Sequence, residues 1–307
     1  FVLHLFLKKF REDRMRFFIR HIFEKKNRLV MNLRWIGAIV VGCFSALGST
    51  AQDYYDWVDT SDKYIRERAW EKAEEALQNA LRSEPANPGN ALLLSNLGTV
   101  QRYAGKLEQA LQSYTNGLLM TPNSVTLLRN RAALYAEMDS LQSALADYNR
   151  ILIIDNNDED ALYNRGLIHL EQGDTLGSRQ DMERLYAMNP ESLNAHIGYA
   201  AWLKSVGRYR EAAEQYTQAI KMQPDEATHY INRAEAYVFS GQLQKADKDT
   251  KKAMELAPAD PLVYVLRAMV NIARYEDGAA RRELAKAVEL GYDRNAADRL
   301  LKELDKP

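Results

Sequence analysis

One pattern of residue types recurs every 34 residues over most of this chain. Six blocks that begin at residues 91, 125, 159, 193, 227 and 261 align without a gap, and a looser seventh covers residues 54–87. Four residue types keep fixed places in the blocks: Gly105, Gly173, Gly207 and Gly241; Ala110, Ala144, Ala212, Ala246 and Ala280; Tyr114, Tyr148 and Tyr216; Pro122, Pro190, Pro224 and Pro258. Positions within a block are counted from its first residue.

Each block predicts two short helices joined by a turn. A helix of about a dozen residues is marginal in water, so each must bury its apolar stripe on a neighbour. Glycine at position 15 favours the left-handed conformation that ends the first helix, and proline at position 32 stops the second. Alanine at positions 20 and 27 lets the helix axes approach closely, while the aromatic residue at position 24 fills the remaining gap.

The pattern resembles the tetratricopeptide repeat, a helix-turn-helix unit of 34 residues. The resemblance covers residues 54–294 and implies an all-α fold, a right-handed superhelical solenoid of seven repeats. Their expected boundaries are 54–87, 91–124, 125–158, 159–192, 193–226, 227–260 and 261–294. Residues 295–307 carry apolar residues at helical spacing and are expected to form a C-terminal capping helix and tail.

The fourth repeat departs from the pattern. Ser178 and Met182 occupy its positions 20 and 24, where the other repeats favour alanine and an aromatic residue. The second helix of this repeat is therefore expected to pack less tightly than the others.

The first 51 residues lack the repeat and predict export. Residues 1–30 hold nine Lys or Arg and three acidic residues, and they are interpreted as a non-native or over-extended N-terminal segment. The alternative is a basic amphipathic arm at a membrane surface. Residues 31–51 resemble a bacterial signal peptide, with a basic start, an apolar run from Trp35 to Leu47 and small residues before Gln52.

Two processing events are compatible with this segment. Cleavage after Ala51 would make Gln52 the mature N-terminus, whereas Val40-Val41-Gly42-Cys43 resembles a lipobox, in which Cys43 is lipidated. Both predict an exported protein, in the periplasm or cell envelope of a bacterium. Contact with a membrane is expected only if Cys43 is lipidated, which would give an anchored lipoprotein.

Composition argues against nucleic-acid binding and against catalysis. Residues 52–307 carry 31 basic and 39 acidic residues, and no basic stripe is evident. Three histidines, His169, His196 and His229, show no metal-ligand spacing on one helix, and neither a Gly-rich phosphate loop nor a Gly-x-Ser-x-Gly motif is present. The prediction is a non-enzymatic protein without cofactor or metal.

Positions 7 and 23 vary together. Four repeats have arginine at position 7 and an acid at position 23, and the other three repeats have neither. Since both positions lie equally far from the turn at position 15, they face each other across the helical hairpin. We therefore expect structural ion pairs inside the repeats. The predicted pairs are Arg131 with Asp147, Arg165 with Asp181, Arg233 with Asp249, and Arg267 with Glu283.

The resemblance implies that the first helices line a concave groove that binds a peptide or a partner protein. Asparagine at position 6 in four repeats can pair with the backbone of a bound chain, or it can simply solvate and cap neighbouring residues. The predicted contact residues are Asn96, Arg102, Tyr103, Arg129, Asn130, Tyr163, Asn164, Leu167, Ile197, Asn232, Phe239 and Met269. The alternative is a structural subunit that docks permanently into a cell-envelope complex through its convex face or end repeats.

Overall fold

The computed structural model describes residues 50–304. The leading segment 1–30, the lipobox with Cys43 and the predicted signal peptide except its last two residues lie outside the described residues. The first described helix already begins at Thr50, two residues before the predicted mature N-terminus.

Residues 50–304 contain fifteen helices and no strand. Each of the seven repeats contributes two helices, and the last helix follows the seventh repeat. The bounds are α1 Thr50–Arg66, α2 Trp70–Ser83, α3 Asn90–Tyr103, α4 Leu107–Met120, α5 Val125–Glu137, α6 Leu141–Ile154, α7 Glu159–Glu171, α8 Thr175–Met188, α9 Leu193–Ser205, α10 Tyr209–Met222, α11 Ala227–Phe239, α12 Leu243–Leu256, α13 Pro261–Ala273, α14 Asp277–Glu289 and α15 Arg294–Leu304. Within residues 50–304, no helix combines the length and apolar character needed to cross a membrane.

The described chain divides into two compact units, residues 50–161 and residues 162–304. In the first unit, α1 packs on α2, α3 on α4 and α5 on α6, and each pair also packs on the next. In the second unit, α9 to α14 pack in the same succession. Each unit contains an apolar cluster, which includes Leu77 and Leu93 in the first and Val263 and Leu266 in the second.

The turn at position 15 has the same geometry in all seven repeats. Its φ angle is positive at Gly105, Gly173, Gly207 and Gly241, and also at Arg68, Asp139 and Tyr275. In every repeat the N–H of position 16 donates to the C=O of position 11, as Lys106 does to Gln101 at 2.8 Å, which is the bond of a Schellman cap. The packed hairpin therefore imposes this conformation even where a side chain makes it costly.

Six of the second helices end at position 30, and the closing proline is not required for this. In the third repeat Asn156 stands at position 32, yet α6 still ends at Ile154. The N–H of Asp155 donates to the C=O of Ile151 at 2.7 Å and closes the last turn.

The expected loose packing of the fourth repeat is not observed. Ser178 and Met182 are both completely buried. A Cβ atom added at Gly166 or Gly198 would lie 2.6 Å from the Met182 Cε or 2.4 Å from its Sδ, respectively. The absence of side chains at these two glycines therefore makes room for the flexible methionine, which fills the place of the aromatic ring.

The capping helix α15 is present as expected. The Asp293 carboxylate accepts a hydrogen bond from the Ala296 N–H at 2.7 Å and caps its first turn. Ala297 and Leu300 are buried in the same apolar cluster as Leu284. The helix thus covers apolar surface that the seventh repeat would otherwise expose.

Candidate functional site

All four predicted ion pairs are present, and their acids are largely shielded from solvent. Arg131, Arg165 and Arg233 each make two hydrogen bonds of 2.5–2.8 Å to the paired aspartate. Arg267 Nε and Nη2 both donate to Glu283 Oε1, at 3.0 and 2.8 Å. Because the carboxylates lie inside the hairpins, these pairs hold the scaffold together and offer little surface to a ligand.

Two of the arginines also link successive repeats, which the sequence pattern did not reveal. Arg131 Nη1 donates to Thr115 Oγ1 at 3.3 Å, and Arg233 Nη1 donates to Thr217 Oγ1 at 3.0 Å. Both threonines stand at position 25 of the preceding repeat. The guanidinium therefore lies between the second helix of one repeat and both helices of the next repeat. We call this space the arginine slot.

In two repeats that lack the arginine, the polar side chain at position 23 has a different hydrogen-bond partner. In the second repeat the Ser113 hydroxyl donates to Gln101 Oε1 at 2.7 Å. In the fifth repeat Gln215 Oε1 lies 2.7 Å from His196 Nδ1. The polar group at position 23 in these two repeats thus also meets a partner from the first helix, although the position of that partner changes.

Five predicted contact residues form a partly exposed surface on α3 and α5, which we call the polar face. They are Asn96, Arg102, Tyr103, Arg129 and Asn130. The two helices pack together, and Asn130 Nδ2 donates to Ser95 Oγ at 3.2 Å across them. Tyr103 stacks on Trp70 with ring centroids 5.0 Å apart.

Carboxylates hold both arginines of the polar face in place. Arg102 Nε lies 2.5 Å from Glu137 Oε2, and Arg129 Nη2 lies 2.5 Å from the buried Asp158 carboxylate. Asp160 is also near, 3.8 Å from Arg129 Nε. The face is consequently rich in fixed hydrogen-bonding groups but close to electrically neutral.

Two tyrosine hydroxyls lie beneath these charges and remain protonated. Burial raises the pKa of Tyr114 to about 12, against the smaller opposing effects of its hydrogen bond to Thr99 and of Arg102. Burial likewise raises the pKa of Tyr148 above its ordinary value. Both rings act as neutral supports of the polar face, and neither is poised as a base.

Five of the predicted contact residues of the second unit are buried and do not form a surface. These buried residues are Tyr163, Asn164, Leu167, Asn232 and Met269. Ile197 and Phe239 are partly buried, and Phe239 stacks on Tyr209 with centroids 5.0 Å apart. Asn164 and Asn232 are buried although Asn96 and Asn130 at the same position are not, so side chains around them in the second unit cover this helix face.

Sequence reasoning missed a buried ion pair in the second unit. Lys204 on α9 bonds to Glu235 on α11, and both side chains are almost fully buried. Lys204 Nζ also donates to Asn232 Oδ1 at 3.2 Å, and Asn232 Nδ2 donates to the Thr228 carbonyl at 2.8 Å. The sequence signal that could have indicated this pair is a cation at position 12 in both units. Lys204 occupies that position in the fifth repeat and Arg102 in the second, and each pairs with an acid of the next repeat.

The histidines have protein partners rather than a shared site. His196 bonds to Gln215, and His229 Nε2 lies 3.3 Å from Gln223 Oε1. His169 pairs with Asp174 at 2.9 Å. Among the described residues, no group of three or more histidine, cysteine or acidic side chains is arranged to hold a metal ion.

Comparison with known proteins identifies the family. A family profile described as Tetratricopeptide repeat matches residues 95–159 and 203–261. A crystal structure of a tetratricopeptide repeat protein from Parabacteroides merdae is 35% identical, with a TM-score of 0.69, and the match covers 83% of this chain and all of that one. No curated protein sequence matches the chain.

More distant structures share the fold alone. The Cut9–Hcn1 hetero-tetramer of the APC/C contains a chain that is 14% identical, with a TM-score of 0.64, over 81% of this chain and 55% of that one. TTC0263, a thermophilic tetratricopeptide repeat protein of Thermus thermophilus, is 19% identical, with a TM-score of 0.52, over 60% of this chain and 100% of that one.

These likenesses agree with the helix succession and with the repeated turn geometry. The solenoid fold expected from the 34-residue pattern is therefore confirmed, and with it the general role of such repeats as scaffolds for protein–protein interaction. This chain belongs to the tetratricopeptide repeat family.

Proposed function

We propose that this protein is a non-enzymatic scaffold that binds an extended segment of a partner protein on the polar face. The proposal rests on a difference in asparagine exposure between the two units. Asn96 and Asn130 are partly exposed on α3 and α5, whereas Asn164 and Asn232 at the same repeat position are buried in the second unit. Only the first unit therefore presents this position to a ligand.

The chemistry of the polar face suits a peptide backbone. An asparagine amide donates and accepts hydrogen bonds, so it can pair with a backbone N–H and C=O whatever the side chains of the bound segment. Arg102 Nη2 is buried and has no hydrogen-bond partner among the described residues, and Arg129 Nε has no hydrogen-bond partner there but faces the Asp160 carboxylate at 3.8 Å. A small shift of either guanidinium would let it donate to a carbonyl of the bound segment while its carboxylate partner keeps it oriented.

Affinity measurements on matched variants test the polar face. The partner is first captured with the full chain, identified by mass spectrometry and purified. Asn96→Ala combined with Arg102→Ala should weaken its binding at least tenfold in calorimetry, since a hydrogen bond to a charged group contributes about 1.5–3 kcal/mol. Arg82→Ala is the control, because Arg82 is exposed on α2 and its hydrogen bonds within residues 50–304 go to Gln78 of its own helix.

A second candidate function is that of a structural subunit docked permanently into a cell-envelope complex through the convex face or end repeats. Leu119 is 78% exposed at the end of α4, and Ile153 is 84% exposed at the end of α6. Exposed apolar residues of this kind favour protein contact. If Leu119→Ser with Ile153→Ser abolishes capture of the partner while the polar-face variant retains it, docking replaces groove binding.

We further propose that the protein is exported, a proposal supported by the sequence of residues 31–51 alone. Cleavage after Ala51 gives a mature chain that begins at Gln52, and mass spectrometry of the protein from the cell envelope tests it. A mass that includes Cys43 with acyl chains would instead establish the anchored lipoprotein.

A further inference from the structure

The arginine slot is occupied in most repeats by a side chain of the repeat itself. Arg131 and Arg233 fill it by bonding to an acid at position 23 and to a threonine at position 25 of the preceding repeat. In the fifth repeat Tyr199 stands at position 7 and stacks between Tyr186 and Trp202, at centroid distances of 5.2 and 5.4 Å. The second repeat is different.

In the second repeat the slot is an open cavity of about 480 Å³. Leu97 at position 7 does not reach across it, and the cavity lining includes Ser113 at position 23 and Gln78 at position 25 of the preceding repeat. These are the equivalents of Arg131, Asp147 and Thr115. The cavity thus lies where the third and sixth repeats hold a guanidinium group.

A buried carboxylate supplies the charge that position 23 lacks here. Glu74 is only 6% exposed. Its Oε1 accepts from Gln101 Nε2 at 2.9 Å, and its Oε2 accepts from Lys106 Nζ at 2.6 Å. Burial alone would raise the pKa of Glu74, but the hydrogen bonds from Lys106 and Gln101 and the positive charge of Lys106 together outweigh it and hold the pKa below its ordinary value, so the group stays ionised.

The cavity as a whole is anionic and rich in acceptors. Glu71 and Glu75 add two exposed carboxylates to the lining, and Lys106 is the only cation in it, which leaves a net charge of about −2. Side-chain amides of Gln78, Gln109, Gln112 and Asn116 complete the polar wall above Leu94 and Leu97. A planar guanidinium with five N–H donors matches such a wall better than an ammonium group does.

We propose that this cavity binds an arginine side chain of a partner protein, which takes the place that Arg131 and Arg233 occupy in their own repeats. The incoming guanidinium displaces Lys106 from Glu74 Oε2. The Lys106 side chain is partly exposed at the rim, and Glu71 is near enough to attract the displaced ammonium group. The site is separate from the polar face, because none of the five residues of that face lines it. Binding at this cavity can therefore be tested independently of binding at the polar face.

Nuclear magnetic resonance titration of the full chain with N-acetyl-arginine methylamide tests the proposal. Saturable shifts should appear at the side-chain amides of Gln78 and Gln101, with at least tenfold weaker binding of the matched lysine and citrulline methylamides. Lys106→Gln should strengthen binding at least threefold, because it removes the competing cation. Glu71→Gln with Glu75→Gln should weaken it at least threefold, and neither exposed side chain is needed for folding.

A variant that fills the cavity from within provides the decisive control. Leu97→Arg with Ser113→Asp recreates the pair that the third repeat contains, and it should abolish the shifts while helicity is retained. Shifts that persist in this variant, that are equal for arginine and citrulline, or that fall on Asn96 and Arg102 instead would overturn the proposal. If the filled variant does not fold, the outcome with Glu71→Gln and Glu75→Gln decides alone, and unchanged binding there refutes the site.

Discussion

Asp249→Ala should destabilise the second unit, because it breaks the buried ion pair between Arg233 and Asp249. Asp249 accepts two hydrogen bonds of 2.7 Å from Arg233, and both side chains are largely buried. Without the carboxylate, the guanidinium keeps only Thr217 as a described acceptor. Removing one partner of a buried pair costs about 3–5 kcal/mol, and since Arg233 keeps 16% of its side chain exposed, we expect about 3 kcal/mol.

Urea unfolding followed by circular dichroism measures this loss. With a slope of about 3 kcal/mol per molar urea, the midpoint of the transition of the second unit should fall by about 1 M. Repeat proteins are stabilised by contacts between neighbours, so the change belongs to the transition that includes the sixth repeat and leaves any separate transition of the first unit unchanged.

Two further variants separate the buried pair from a simple loss of charge. Glu211→Ala breaks the exposed pair between Arg208 and Glu211 and should leave the midpoint unchanged. Arg233→Leu with Asp249→Leu should recover most of the loss, because position 7 already accommodates Leu97 in the second repeat. An Asp249→Ala variant that unfolds at the same urea concentration as the parent chain, or a double variant no more stable than the single one, would contradict the stabilising role of the pair.

Three other predictions concern turns, packing and pH. Tyr275→Gly should stabilise the chain by about 0.5–1 kcal/mol in thermal unfolding, since Tyr275 is 92% exposed and has a φ of 62°; an unchanged melting temperature would contradict strain at this turn. Gly198→Ala should cost about 1–3 kcal/mol, because its Cβ would meet Met182 Sδ at 2.4 Å, and combining it with Met182→Ala should cost less than the sum of the two changes. Glu74→Gln should destabilise the first unit at pH 6, and the difference should shrink as the pH falls below the ordinary carboxyl pKa, because a lowered pKa contributes stability above its ordinary value and loses it as the pH falls through the lowered one. A pH-independent difference in urea midpoint would rule this out.

The order of the helices was predictable because the 34-residue pattern encodes it directly. Glycine at position 15 and the paired changes at positions 7 and 23 depend on neighbours inside one hairpin, and such contacts leave a signal in a single sequence. The same reasoning failed at Met182, since the room for this side chain comes from Gly166 and Gly198 on two other helices. Packing between repeats needs coordinates that a periodic pattern does not contain.

The candidate site was only partly predictable for a related reason. Assignment to the first helix predicts which residues face one side, and Asn96 and Asn130 lie on a partly exposed surface. It does not predict how far neighbouring side chains cover that side. Leu167 and Met269 are therefore buried although they share the helix face on which partner contacts were expected.

The bond from Arg233 to Thr217 makes the sequence of repeats chemically specific. Arg131 and Arg233 each meet a threonine at position 25 of the preceding repeat, whereas Arg165 and Arg267 follow Asn149 and Lys251 at that position, so the repeats are not equivalent at their junctions. Removal of residues 227–260 would bring Arg267 after the fifth repeat, opposite Thr217 instead of Lys251. Removal of residues 193–226 would instead place Arg233 opposite Glu183. Gain or loss of a whole repeat would thus exchange the side chain that the guanidinium meets at the new junction.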